Sequence, residues 1–219
     1  MSTEPGPAES HRVDGGHHDV AAYDLRQRHA RDRGRLKVDR LLSHGITRGR
    51  VLEIGPGPGY LGLEWLKHTD GTTSIGLEAN PQMAAVAGRN ASEYSLSERA
   101  RYVHGTGSRM PFASATFDGC FARNSLHEWS QPRATFDEMW RVLKPGGVLL
   151  MSDPRRDVFP PLRWLVRLYF RLRGCRSGRL SSVERVYTLA EVKDLIKGTA
   201  LEGCSVRGSR IGVWVWGTR

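Results

Sequence analysis

Apolar positions along the chain fall into two alternating rhythms. Short runs such as Arg50-Val-Leu-Glu-Ile54, "TTSIGLE", "ARYVHG", "ATFDGCFA" and "GVLLMSD" read as strands. Between them, residues from Tyr60 to His68, from Pro81 to about Tyr94 and from Pro132 to Leu143 carry helical spacing. Pro81 and Pro132 suit first helical turns, and "KPGG" stops the last of these helices. Alternation of strand and helix signals of this kind specifies a parallel sheet covered by helices on both faces. Before the first strand, residues 20–44 read as one helix that gathers Leu25, His29, Leu36, Leu41 and Leu42 on one side.

The C-terminal end breaks the rhythm. "TLAEVKDLIKGT" predicts a helix capped by Thr188, with Glu191 three residues later as in a capping box. "LEGCSVRGS" and "RIGVWVWGT" then read as two strands joined at Gly208-Ser209, an antiparallel pair. Trp214 and Trp216, two apart on the last strand, share a face that suits either the core or a substrate wall.

Length changes this picture little: 219 residues make one α/β domain with a small appendage. Residues 1–18 are polar and rich in Pro, Gly and His. They predict a disordered arm, in which His11, His17 and His18 are read as solvated rather than metal-binding. The start has no apolar core of a secretory signal, and no run of about 18 apolar residues predicts a membrane span. Cys120, Cys175 and Cys204 are scattered, and read as reduced packing residues of a cytoplasmic protein.

Charge adds a local feature. The chain carries 33 Lys+Arg against 23 Asp+Glu, a net charge of +10. Part of that excess lies in an insertion at residues 155–187, with nine Arg and two acids. Three readings of it stand: a lid whose arginines hold an acidic acceptor, an interfacial helix that buries Trp164, Leu165 and Phe170, and a segment packed on the domain with its arginines solvated.

The chemistry concentrates in "VLEIGPGPG", residues 51–59, where a strand runs into a glycine-rich turn and a helix. Glycine permits backbone angles closed to other residues and close approach of a ligand, while the prolines stiffen the turn. A phosphate loop needs a Lys-Ser/Thr pair that is absent here. The dinucleotide fingerprint needs a third glycine where Tyr60 stands. The ligand is therefore one that packs on the loop without phosphates. Glu78 closes the next strand about 20 residues on, where an acid accepts hydrogen bonds from ribose hydroxyls, and a nucleoside is indicated.

The glycine loop, "GLEAN", "GTGSRMPFASATFDGCFARNSLHEW" and "RVLKPGGVLLMSD" stand in register over residues 45–153 and resemble class I S-adenosylmethionine-dependent methyltransferases, of the small-molecule ubiquinone/menaquinone-biosynthesis type. The resemblance implies a Rossmann-like, doubly wound, mostly parallel seven-stranded sheet with an antiparallel C-terminal hairpin. It implies S-adenosyl-L-methionine as cofactor and S-adenosyl-L-homocysteine as product. By position, Gly55, Gly57 and Gly59 pack against the methionine and ribose, Glu53 orients the amino group through water, and Glu78 holds the ribose. Ala79 and Met83 flank the adenine, and Arg123 and Asn124 offer backbone carbonyls to the ammonium. Where the family carries an acid beside the adenine amino group, this chain has Thr106, Gly107 and Ser108.

His127, just beyond the fourth strand, is the candidate base, with a structural loop histidine as the alternative; Glu128 is the weaker candidate. Asp153, Arg156 and Trp164 are candidate acceptor contacts, Asp153 serving equally as a turn residue before Pro154. The expected acceptor is a small or peptide-like molecule, acidic in character and methylated at O or N. The readings left beside it are an RNA methyltransferase and a cofactor-binding protein without catalysis. Nothing in the chain resembles an Asn-Pro-Pro-Tyr catalytic loop or a separate nucleic-acid recognition domain.

Overall fold

A computed structural model describes residues 19–157 and 186–219. The N-terminal arm, Trp164 and most of the Arg-rich insertion lie outside the described residues. The first helical region is two helices, α1 (Val20–Asp32) and α2 (Val38–Ser43), and not one. Gly34 and Lys37 between them both adopt φ of 63°, which an α-helix cannot continue through. The expected apolar stripe also fails, because Leu25 is 54% exposed whereas Leu36 and Leu41 are buried. α1 is held instead by polar contacts. Asp24 accepts from the Tyr60 hydroxyl at 3.0 Å, and the Arg31 guanidinium lies over the Tyr60 ring at 4.9 Å.

The alternation then appears as read: β1 (Arg50–Ile54), α3 (Tyr60–Lys67), β2 (Thr73–Glu78), α4 (Pro81–Glu93), β3 (Ala100–His104), β4 (Phe117–Arg123), a 3-10 turn (Leu126–Glu128), α5 (Pro132–Val142), β5 (Leu143–Pro154), α6 (Leu189–Ile196), β6 (Ser205–Gly208) and β7 (Gly212–Thr218). β5 begins earlier than the apolar run suggests. "KPGG" is drawn into the strand because Gly146 N–H donates to the Arg219 carbonyl and Arg219 N–H to the Gly147 carbonyl. The capping box forms, with Glu191 N–H donating to Thr188 Oγ1 at 3.1 Å and Thr188 N–H to Glu191 Oε2 at 2.7 Å.

The seven strands run in the order β3-β2-β1-β4-β5-β7-β6. The first five are parallel, and β7 is antiparallel to both β5 and β6. Alternate residues of a strand point to opposite faces. Leu52, Cys120, Leu149 and Val213 thus pack under α5 and α6 with Phe136, Met139 and Val192. Val51, Phe121 and Leu150 pack on the other face with Leu41, Leu63, Trp65 and Leu66 of α2 and α3. Trp65 is fully buried, and its indole N–H donates to the Ile46 carbonyl at 2.7 Å. Trp214 and Trp216 settle against this second core, with Arg40 over one ring and His44 edge-on to the other. Cys120 is buried, Cys204 half-buried, and both are free thiols.

Candidate functional site

The strand order reverses between β1 and β4, which leaves a crevice outside their carboxyl ends, the position where open α/β sheets bind ligands. A cavity of roughly 630 Å³, its open mouth included, occupies this place. The glycine turn forms its floor. Gly55, Gly57 and Gly59 take φ of 66°, 56° and 83°, values that require glycine three times in five residues. The turn is also packed too tightly for side chains: a Cβ on Gly55 would stand 2.8 Å from Ser125 Cβ, and one on Gly57 3.1 Å from the Tyr23 ring.

Glu78 ties this floor to β2. Its Oε2 accepts from Gly57 N–H and its Oε1 from Asn80 N–H, each at 3.0 Å. Burial raises its pKa, and these two N–H donors oppose the rise. Two oxygens with one bond apiece keep lone pairs for two hydroxyls. The same carboxylate therefore holds the loop and can receive a ribose. Asn80 caps α4 by accepting from Gln82 and Met83 N–H, which sets Ala79 and Met83 along the cavity wall.

The loop after β3 on another wall is braced by α5. Arg141 pairs with Glu138 and donates to the Phe112 and Met110 carbonyls, while Glu138 accepts from Met110 N–H at 2.7 Å. This cluster holds the loop that presents Gly105 and Gly107 to the cavity. Ser108 is not among the lining residues; its hydroxyl lies 3.4 Å from that of Thr106.

Glu53 and Arg123 are set back from this cavity. They line a second one, roughly 390 Å³ with its mouth, which shares Tyr23, Gly55 and Asn124 with the first. Glu53 is 4% exposed and its Oε2 has no hydrogen-bond partner. Burial, reinforced by the neighbouring Glu78 charge, pushes its pKa up to about 8. Asn124, at the tip of β4, holds φ of 54°, a backbone strain that often accompanies a functional site. Gly59 lines neither cavity; it lies against the Tyr102 hydroxyl.

His127 is turned toward the sheet. Its Nδ1 lies 2.9 Å from Oδ1 of Asp153, a fully buried carboxylate whose Oδ2 accepts from Leu126 N–H at 2.9 Å. Burial raises the Asp153 pKa, and the His127 contact opposes the rise. His127 Nε2 faces Glu128 Oε1 at 3.8 Å, and it is Glu128, with Trp129, that lines the first cavity. Arg156 stands apart: its guanidinium binds Glu191 and the Val186 carbonyl and so joins the two ends of the insertion. Tyr23, Ser125 and Trp129 join the lining without a sequence signal, whereas Glu128, the weaker candidate from the sequence, is the one that lines the cavity. No group of three metal-ligating side chains occurs among the described residues.

Fold, crevice and glycine loop together form a doubly wound α/β domain with a ligand-sized cavity at its switch point. Residues 52–151 match the family model described as a methyltransferase domain, and this match supports a class I S-adenosylmethionine-dependent methyltransferase. It is 34% identical over 134 residues to the uncharacterized methyltransferase YcgJ of Bacillus subtilis (strain 168), covering 61% of this chain and 52% of that protein. The YcgJ crystal structure superposes with a TM-score of 0.59 at 26% identity, over 78% of this chain and 68% of that one. Demethylmenaquinone methyltransferase of Deinococcus radiodurans is 29% identical over 165 residues, 66% of each chain. A Methanococcus maripaludis structure described as a putative S-adenosyl-L-methionine-dependent methyltransferase shares the fold, with a TM-score of 0.73 at 18% identity over 90% of both chains. The matches span between 34% and 66% of the length of these curated relatives. The residues present fit the family's cofactor: Glu78 keeps lone pairs for a ribose, and Glu53 Oε2 is an orphaned acceptor beside the glycine turn.

Proposed function

We propose that this chain transfers a methyl group from S-adenosyl-L-methionine to an O or N atom of a small-molecule or peptide-like acceptor. The observation that carries the reading is the crevice at the β1/β4 reversal, floored by the positive-φ glycines Gly55 and Gly57 and walled by Glu78. The bound cofactor supplies a methyl already activated on a sulfonium. The chain's own residues align the acceptor and take its proton. Asp153 orients His127 by accepting from Nδ1–H, so that Nε2 faces Glu128 with its lone pair. A proton released at the cavity then passes to the Glu128 carboxylate or to Nε2, and the imidazolium so formed is offset by Asp153. The charged members of the described cavity lining are Glu78 and Glu128, both acids, so this lining gives no support to an acidic acceptor. Any such support comes from the seven arginines of residues 158–185, outside the described residues.

Calorimetric titration with S-adenosylhomocysteine tests the cofactor half. Wild type binds, and Gly57→Arg and Glu78→Ala each lose at least tenfold in affinity. Unchanged affinity in both variants refutes the site.

A further inference from the structure

A third cavity, roughly 240 Å³ with its mouth, lies between α2 and the carboxyl-end side of β4, β5 and β7. Strand register builds one side of it. Arg123 pairs with Ser152, Ser152 with Trp214, and Trp214 with Arg207 across four neighbouring strands. Residues paired in this way point to one face of a sheet, so an arginine, a hydroxyl, an indole and a second arginine stand in one row. Lys37, just before α2, and Arg40 within it meet this row, and the Arg40 guanidinium lies over the Trp214 ring at 5.6 Å. Leu41, Phe121 and Leu150 supply an apolar floor from the core.

The lining holds three cations, Lys37, Arg40 and Arg123, and no acid. Arg123 donates from Nη2 to the Arg35 carbonyl at 3.1 Å, and among the described residues neither it nor Lys37 enters an ion pair. Two acids act on these cations without neutralising them. Asp39 reaches Arg40 Nε only at 4.0 Å, with both side chains more than half exposed. Glu53 attracts Arg123 from across the second cavity without forming an ion pair with it. Burial strips water from the Arg123 guanidinium and lowers its pKa, so a counter-ion there is worth more than at the open surface. Cations gathered over an apolar floor are the complement of an oxyanion carried on an apolar body.

We propose that this cavity binds a small organic oxyanion, a carboxylate or a phosphate monoester, between Arg123 on the sheet and Lys37 and Arg40 beside it. Ser152 adds a hydroxyl donor, and the apolar floor takes the body of the ligand. The cavity shares no lining residue with the crevice at the β1/β4 reversal. The anion is therefore a second ligand, held apart from the cofactor, and its site stands independently of the cofactor reading. Because it bridges α2 and the sheet, it also raises the stability of the folded chain by mass action.

The test titrates the full chain calorimetrically in low-salt buffer with benzoate, phenyl phosphate and acetate. Wild type binds at least one of the two aromatic anions saturably, and the tighter one identifies the head group the site prefers. Acetate binds more weakly than benzoate, because it has no body to bury on the floor. Lys37→Gln combined with Arg40→Gln, both at exposed positions, weakens the preferred anion roughly tenfold or more, as expected for two lost charge-assisted bonds. S-adenosylhomocysteine affinity in that variant stays within about twofold. Should the double variant fail to fold, Arg40→Gln alone decides, and it must weaken the same anion roughly threefold or more. Unchanged anion affinity in the variants overturns the site and assigns the binding to another basic region. Acetate as tight as benzoate, or no saturable binding of either aromatic anion below about 10 mM, overturns it as well.

Discussion

Replacing Glu53 by Gln removes one ionisation from the interior and preserves the shape of the side chain. The folded protein holds the Glu53 proton up to about pH 8, whereas the ordinary value is 4.5. Between those two values the folded state binds a proton that the unfolded chain gives up, so Glu53 makes stability fall as pH rises through this window. Outside it, below 4.5 and above 8, the contribution is flat. The full span is about 3.5 pH units at roughly 1.4 kcal/mol each, on the order of 5 kcal/mol. Solvent penetration into the second cavity makes this an upper value. Glu78 and Asp153, also raised by burial, tilt the wild-type curve the same way. The difference between Glu53→Gln and wild type isolates the one group. Urea unfolding of ligand-free protein at half-unit steps from pH 5 to 9 measures it. The two proteins match near pH 5, and the variant gains several kcal/mol by pH 9. A difference that stays within about 0.5 kcal/mol over the whole range refutes the burial argument and leaves Glu53 solvated.

Three further outcomes are expected. Gly59→Ala forces a side chain to φ of 83° and into the Tyr102 hydroxyl, and it lowers stability by about 1–3 kcal/mol in urea unfolding without a direct loss of a cavity-lining group. Asp153→Asn frees His127 from its tautomer: with a turned-over acceptor in hand, kcat drops roughly 10²-fold or more and the pH–rate profile shifts, while S-adenosylhomocysteine affinity stays within threefold. Thr188→Ala removes the side-chain half of the α6 capping box and lowers stability by about 1 kcal/mol, read as a shift in the denaturation midpoint at constant slope.

Much of this domain was legible because its signals are local. A strand, a glycine turn and a helix within residues 50–67 follow from apolar runs and backbone freedom, and the three positive φ values sit where the sequence puts glycines. Thr188 and Glu191 find each other because a helix brings positions three apart together. The extent of the first helix was not legible, since Leu25 fits an apolar stripe yet stands in solvent. Its true attachment is Asp24 and Arg31 on Tyr60, 36 and 29 residues away and polar, which a hydrophobic period cannot register.

The same division runs through the site. Glu78 could be read from its spacing after the glycines, because one βαβ unit sets that distance. The partner of His127 could not: Asp153 reaches it from the next strand of the sheet, and the pairing turns His127 inward while Glu128 lines the cavity. Glu53 and Arg123 were visible as letters on two strands. Only the parallel pairing of β1 with β4 sets their side chains around one desolvated space. The sequence by itself determined the alternation, the glycine floor and the nucleoside class, since each depends on neighbours along the chain. The tertiary structure decided which charges go without partners and which side chains share a cavity, because burial and pairing are properties of residues the fold brings together from far apart.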